Sequence, residues 1–407
     1  MMMMFQGNNE NKAEIRMIKS SNRSEIPPFL ALEGLRKAKE LEAQGADILH
    51  LEVGQPSSSA PQKVISALHQ ALASPEAHGY AVATGVPALR EAISAHYQAS
   101  YGYQLAMNDV AVTVGSSTAF ALAFLAAFDV GDKIALPTPG YPAYRNLMMA
   151  MGIEPVSLPA RAEQGWMPRL EEMESWDELP DGLIIASPHN PTGVVLSDKE
   201  LKEICRWCDD KGVRLISDEI YHGLSYDKPT TTAAHHSDSA IIISGFSKYF
   251  SMTGWRLGWM VMPADLKESC VKLIENLFIS APTPNQLGAV AAFEAQDELD
   301  GNLQRYATNR QILLEGLAPE FLGDYAPCEG AFYLYADISQ LSDDSQSLAH
   351  DLLQKAGVAV TSGIDFDPEE GHKHVRLSFA ASTSDMHEAV RRINQFVARE
   401  LRADKSA

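Results

Sequence analysis

Ser244-Gly245-Phe246-Ser247-Lys248-Tyr249-Phe250-Ser251-Met252-Thr253-Gly254-Trp255-Arg256-Leu257-Gly258 is the stretch on which the reading of this chain turns. It follows an apolar run, Ala240 to Ile243, with the length and branching of a buried strand, so Lys248 falls just past a strand's C-terminal end. Open α/β sheets place their ligands there. A lysine among small and apolar residues is partly desolvated, which favours the neutral amine and makes it a nucleophile toward a carbonyl. Arg256 adds a permanently charged fork suited to a phosphate. A single lysine after a strand is most often a solvated surface group, so the rest of the chain has to decide between the two.

Composition narrows the classes. With 407 residues, 45% hydrophobic and 21% charged, the chain is long enough for a large core and a second domain. No apolar run reaches the roughly 18 residues of a membrane span. A formal net charge of −20 opposes nucleic-acid binding, which needs clustered Lys and Arg, and serves solubility instead. Four cysteines make no disulfide framework in a chain of this size, so a cytoplasmic setting is expected. Cys205 and Cys208 stand one helical turn apart with no second Cys or His pair, which gives no zinc site, and no metal is expected elsewhere. Residues 1–25 are polar, begin with four methionines and lack an apolar signal core; they are expected to be a disordered extension, with a true start near Met17.

From Pro61 to about Asn302 helical patterns alternate with short apolar strands, the pattern of a wound, mostly parallel α/β sheet. Strands are expected at Val110–Val114, Lys133–Leu136, Leu183–Ala186, Val213–Ser217, Ala240–Ser244 and Leu257–Val261, with helices at Val86–Tyr101, Asp198–Lys211 and Leu266–Phe278. Ser197 is the natural N-cap of the second helix. The last hundred residues read as a smaller α+β domain: a helix Leu303–Leu317, strands near Phe332–Ala336, Val358–Thr361 and Val375–Phe379, and a helix Met386–Leu401. The segment Pro28 to Gly54 is expected to join it in space. The expected division is therefore 59–302 for the large domain, and 26–58 with 303–407 for the small one.

Five motifs fall just after predicted strands, where their groups can converge on one crevice. Gly115-Ser116-Ser117-Thr118 opens a helix, and backbone N–H groups with hydroxyls at a helix start make either a cap or an anion site. Pro139-Gly140-Tyr141-Pro142-Ala143-Tyr144 holds Tyr141 rigidly, as a turn or as a platform for a planar ligand. Ser187-Pro188-His189-Asn190-Pro191-Thr192-Gly193 presents the Asn190 amide in one orientation. In Ser217-Asp218-Glu219-Ile220-Tyr221, strand alternation lets only one carboxylate face the crevice, taken as Asp218. A carboxylate closing a buried strand needs a positive partner, and a protonated pyridine nitrogen would serve. The lysine stretch is the fifth.

Taken in order and spacing, these motifs resemble the class I and II aminotransferases, pyridoxal-phosphate enzymes of fold type I, over nearly the whole chain from about Ile26. The resemblance implies a large domain with a mostly parallel wound sheet and a smaller α+β domain. It implies that Lys248 holds pyridoxal 5′-phosphate as a Schiff base and carries protons. It also implies that Asp218 pairs with the pyridine nitrogen, that Asn190 and Tyr221 bind its ring oxygen, and that Tyr141 stacks on the ring. Ser116, Ser117, Ser247 and Arg256 would hold the phosphate. Tyr80, in His78-Gly79-Tyr80, resembles a tyrosine that reaches the phosphate of a partner subunit, which implies a homodimer. Arg376 would grip the substrate α-carboxylate, assisted by the Gly54 amide and Asn190. Two departures stand out: Gln55-Pro56-Ser57-Ser58 replaces an acidic residue followed by Pro-Asp-Phe, and Gly245 stands where many relatives carry serine.

The implied reaction is ping-pong transfer of an amino group from an L-amino acid to a 2-oxo acid. A rival is a lyase of the same fold, such as a C–S β-lyase, because reaction choice lives in the substrate pocket. Another rival is a non-catalytic cofactor-binding regulator, but the polar stretch before Ile26 is too short for a helix-turn-helix. The side chains Phe29, Leu30, Tyr141 and Phe332 are expected to suit an apolar or aromatic substrate.

Overall fold

The structure is a computed structural model that describes residues 18–404. The expected extension over residues 1–25 thus falls mostly outside the described residues. After a helix, Leu30–Glu42, and a short strand β1 (Leu49–His50), the chain alternates helices with β2 (Val110–Thr113), β3 (Lys133–Thr138), β4 (Glu154–Pro159), β5 (Gly182–Ala186), β6 (Arg214–Asp218), β7 (Ile241–Gly245) and β8 (Gly258–Val261). These seven strands from β2 onward form one sheet in the order β2-β8-β7-β6-β5-β3-β4. All neighbours pair in parallel except β8, which runs antiparallel to both β2 and β7.

Strand alternation splits this sheet's core in two. Val112, Leu183, Ile185, Leu215, Ile242 and Trp259 enter the cluster on one face. Their neighbours Ala111, Ile184, Ile216, Ile241, Ile243 and Met260 enter the cluster on the other. Each face is roofed by helices, which is why both sets are apolar. The same parity carries past the end of β6: Asp218 follows Ile216 to one face, and Glu219 follows Ser217 to the opposite one.

Strand β4 was not among the expected strands. Pro155 and Pro159 lie within it, and proline cannot donate to a ladder. They are tolerated because β4 is the sheet's edge and pairs with β3 alone.

Beyond the sheet, β9 (Tyr333–Asp337), β10 (Val358–Ala359), β11 (Thr361–Ser362) and β12 (His374–Ser378) follow. The single strand expected over Val358–Thr361 is two. Its first half pairs in parallel with β1, and its second half pairs antiparallel with β12, which in turn pairs with β9. The helix expected over Leu303–Leu317 runs from Gln296 to Gly316, seven residues further back, through a polar first turn that masked it. It is continuous through residue 302, where a domain boundary was expected. The closing helix spans Thr383–Asp404.

Cys205 and Cys208 are buried in the core on the helix Asp198–Lys211, and burial pushes both thiols up. At the start of that helix, Ser197 and Glu200 form a reciprocal cap: the Glu200 N–H donates to Ser197 Oγ at 3.3 Å and the Ser197 N–H to Glu200 Oε2 at 2.8 Å. Removing the hydroxyl in Ser197→Ala should lower unfolding stability by about 1 kcal/mol without changing turnover, as read by denaturant melts beside an activity assay.

Candidate active site

The C-terminal ends of the parallel strands open onto a cavity of about 260 Å³. Nine of the residues expected at the site line it: Gly54, Ser116, Ser117, Tyr141, Asn190, Asp218, Tyr221, Lys248 and Arg376. They come from the N-terminal segment, the ends of five strands (β2, β3, β5, β6 and β7) and β12, so only the folded chain assembles them.

Lys248 is half-buried, and its Nζ donates to the Gly54 carbonyl at 2.7 Å. Gly54 has to be glycine: a Cβ there would lie 1.7 Å from the Tyr333 hydroxyl. Tyr333 OH is in turn 2.7 Å from Tyr221 OH. Both phenols are buried.

Asp218 sits at the floor of the cavity. Tyr144 OH donates to its Oδ2, and the Ile220 N–H donates to Oδ1 at 3.0 Å. Burial pushes the carboxyl up to about 6, against the lowering effect of those two bonds and of the Lys248 charge. Among the described residues no Lys, Arg or His nitrogen lies within 4 Å of it. Glu219, on the opposite face, accepts from the Ala233 N–H at 2.8 Å and from the Thr232 and Ser217 hydroxyls, and burial pushes it to about 8. The parity argument that chose Asp218 therefore matches the geometry.

Arg376 is 2% exposed. Its guanidinium lies between two aromatic faces, 4.3 Å from the Tyr333 centroid and 4.6 Å from that of Phe366. Nη1 donates to Asn190 Oδ1 at 2.9 Å and Nη2 to the Glu52 carbonyl at 2.6 Å, while Nε has no protein partner. A guanidinium fixed this way presents a rigid, always charged fork.

On the other side of the cavity begins the helix Gly115–Ala127. No side chain caps it, so its first N–H groups and the Ser116 and Ser117 hydroxyls are free for an anion. Arg256 packs against this end: a Cβ on Gly115 would come within 2.5 Å of Arg256 Nη2. Gly258 is equally constrained, since a Cβ there would meet the Ser116 nitrogen at 2.7 Å. Arg256 itself is exposed, has a left-handed backbone with φ +53°, and donates from Nη1 to the Thr253 carbonyl at 3.0 Å.

Three expected residues are not in the cavity wall: Arg256, which packs against the helix start instead, Ser247 and Tyr80. Ser247 is buried, and Tyr80 stands 83% exposed. Of the side chains expected to meet the substrate, Phe29 and Tyr141 line the cavity. Leu30 and Phe332 do not, being replaced by their neighbours Ala31, Leu32 and Tyr333. Phe332, in the turn just before β9, packs into the core, and Tyr333, the first residue of β9, lines the site. Tyr144 was quoted within its motif but given no role; its bond to Asp218 could not be read from spacing.

These groups fit pyridoxal phosphate on three independent grounds. A half-buried amine faces the cavity, a buried carboxylate lacks a cation, and an uncapped helix start lies beside an arginine with no carboxylate within 4 Å among the described residues.

The sequence model of the family described as "Aminotransferase class I and II" matches residues 46–393. The chain is 44% identical, over 92% of its length and 97% of the relative, to a valine–pyruvate aminotransferase of Mycobacterium tuberculosis. It is 43% identical to an aminotransferase of known crystal structure from Mycobacterium tuberculosis, with a TM-score of 0.91 over 94% of this chain and all of that one. An aspartate aminotransferase from Thermus thermophilus, solved with maleate, is 30% identical with a TM-score of 0.87 over 93% of this chain and all of that one.

Asp218 makes a prediction with a definite sign. Its carboxyl is raised in the folded chain from an ordinary value of 3.8, so the folded state takes up a proton. Its contribution to stability is full below the unfolded value and is lost as pH rises through about 6. With the cofactor removed, Asp218→Asn should therefore melt no lower than the parent at pH 7.5. Cofactor should then raise the parent's Tm more than the variant's, because only the parent gains a counter-ion.

Proposed function

The chain belongs to the class I and II aminotransferases and is a pyridoxal-phosphate-dependent transaminase that moves an amino group from an L-amino acid to a 2-oxo acid; from that premise we propose how its own residues divide the work. The observation that carries the proposal is the placing of Lys248, Asp218 and Arg376 around one cavity. When bound, pyridoxal phosphate supplies an electrophilic carbonyl carbon and a ring that draws electrons away from the Cα of an attached amino acid.

Lys248 would hold the cofactor covalently, and its Nζ, as a free amine, would take up the substrate's Cα proton. Asp218 holds the positive charge of the pyridine nitrogen and so offsets its own burial. Asn190 and Tyr221 orient the ring oxygen, with Tyr333 fixing Tyr221. Tyr141 forms one wall of the ring's slot. Ser116, Ser117 and Arg256 hold the phosphate, with Ser247 as a supporting residue.

Arg376 takes the substrate α-carboxylate, with Gly54 beside it. Its two aromatic faces and two acceptors already fix the fork, so little freedom is lost on binding. The rest of the wall favours an apolar side chain: Phe29, Ala31, Leu32, Val53 and Leu147 face the cavity, and Lys248 and Arg376 are the only lysine or arginine lining it among the described residues. We accordingly propose an aliphatic donor of the valine kind with pyruvate as acceptor, in keeping with the relative from Mycobacterium tuberculosis.

A homodimer is proposed because Tyr80 and Val82 stand 83% and 59% exposed on one segment, an arrangement that suits burial against a second copy and a Tyr80 that completes the partner's phosphate site. The small domain is proposed as 26–58 with 303–407, supported by the pairing of β1 with β10, and the large one as 59–302. A cytoplasmic setting is proposed from four cysteines that are free and buried.

Mixing the enzyme with valine and pyruvate should give alanine and 2-oxoisovalerate in equal amounts, whereas ammonia release without alanine would sink the transfer reaction with these substrates. Lys248→Ala should lower kcat by about 10⁴-fold or more and abolish the borohydride-sensitive visible band. Arg376→Lys should raise KM for both substrates by about tenfold to a hundredfold and leave that band in place, since the bidentate fork is lost and the cofactor is not.

A further inference from the structure

The helix Leu30–Glu42 has no cap of its own. The residue at its N-cap position is Phe29, whose ring cannot accept from the first N–H groups. That ring lines the cavity instead, edge-on to Tyr141 with centroids 5.7 Å apart. The missing acceptors come from 335 residues away: Asp365 Oδ1 accepts from the Leu30 N–H at 3.1 Å, and Oδ2 from the Ala31 N–H at 3.2 Å. Asp365 is 3% exposed, and the positive end of the helix dipole favours its charge there.

The turn that carries Asp365 touches the site at two more points. Phe366 is the aromatic face 4.6 Å from the Arg376 guanidinium, and its carbonyl accepts from the Gly140 N–H, next to Tyr141, at 3.0 Å. The Asp365 carbonyl accepts from Arg145 Nη2 at 3.3 Å. One short turn thus meets the arginine at one end of the cavity, the glycine just before the tyrosine of its wall and the helix that closes its apolar side.

We propose that Asp365 is a positioning residue for substrate selection: by capping this helix from a distance it sets where Phe29, Ala31 and Leu32 stand, and so how well the cavity grips an apolar side chain. A local Ser or Asp cap would hold the helix equally well, but it would take the place of Phe29 in the wall. Delegating the cap to Asp365 frees that position and ties the apolar wall to the turn that stacks on Arg376. The inference rests on the proposed apolar donor, and its test separates the two.

The test compares the cofactor-loaded parent, Asp365→Ala and Asp365→Asn, the last keeping the volume and one acceptor. With valine as donor, Asp365→Ala should raise KM about five- to tenfold with kcat within about twofold, and Asp365→Asn should fall between. The KM for alanine, whose side chain barely reaches the wall, should change less. Spectral titration with two unreactive acids, 3-methylbutanoate and acetate, gives the readout without turnover: the parent should prefer the branched acid, and Asp365→Ala should lose about five- to tenfold of that preference. A parent without the preference would overturn the apolar-wall reading itself. A parent with it and variants that keep its full value would overturn the role of Asp365 alone. If Asp365→Ala does not fold, Asp365→Asn decides by the same ratio.

Discussion

A guanidinium held almost wholly out of water has to be neutralised or hydrogen-bonded at every turn, and Arg376 is met from three separate regions of the chain. The Glu52 carbonyl comes from the N-terminal segment, Asn190 from the loop after β5, and the rings of Tyr333 and Phe366 from the region around the three-stranded sheet. None of these groups carries a negative charge. Acceptors and aromatic faces fix the fork without neutralising it, so the arginine keeps a full charge facing the cavity. Were a carboxylate in their place, an internal ion pair would compete with any substrate acid. A loop of the large sheet, through Asn190, thus meets a side chain of β12 at the cavity wall.

The opposite imbalance lies at the cavity's floor. Asp218 accepts from Tyr144 and Ile220 but has no cation among the described residues, whereas Arg376 has donors to spare and no anion. Each is an unfinished pair, and together they describe a ligand that is positive at one end and carries a carboxylate at the other. Burying two charged groups without a partner costs stability, and that cost is offset by the two apolar layers on either face of the large sheet. The carboxylate next along the chain shows the contrast. Glu219 is buried on the opposite face, where its Oε1 accepts from Thr232, Ala233 and Ser217 and its Oε2 lies 3.5 Å from His222 Nδ1.

Much of this was readable from the chain because each motif packs its chemistry into a few adjacent residues after a strand. Asp218 against Glu219 needed only the period of two, and Lys248 only its position after β7. What escaped depended on partners distant in sequence. Tyr144 meets Asp218 across 74 residues, Tyr221 meets Tyr333 across 112, and Leu30 meets Asp365 across 335. The edge strand β4 escaped for another reason: its prolines argue against a strand until its place at the sheet's margin is known. Phe332 and Tyr333 were exchanged because a short aromatic run has no polar residue to mark which face is which.

The glycine at 245 shows how a departure from a family pattern can follow from packing. β7 and β8 place Gly245 directly opposite Gly258, and a Cβ on Gly245 would lie 3.0 Å from the Gly258 Cα and 3.1 Å from Ile220 Cδ1. Gly258 is held in turn by the Ser116 nitrogen, so the two strands and the start of the helix Gly115–Ala127 are stacked at backbone distance. A side chain at 245 would require these neighbours to give by a few tenths of an ångström. The close stack leaves little room for a hydroxyl at 245 and keeps the backbones of β7, β8 and the helix start in contact. In the proposed phosphate site, it is the backbone N–H groups of that helix start and Arg256, with Ser116 and Ser117, that an anion would meet.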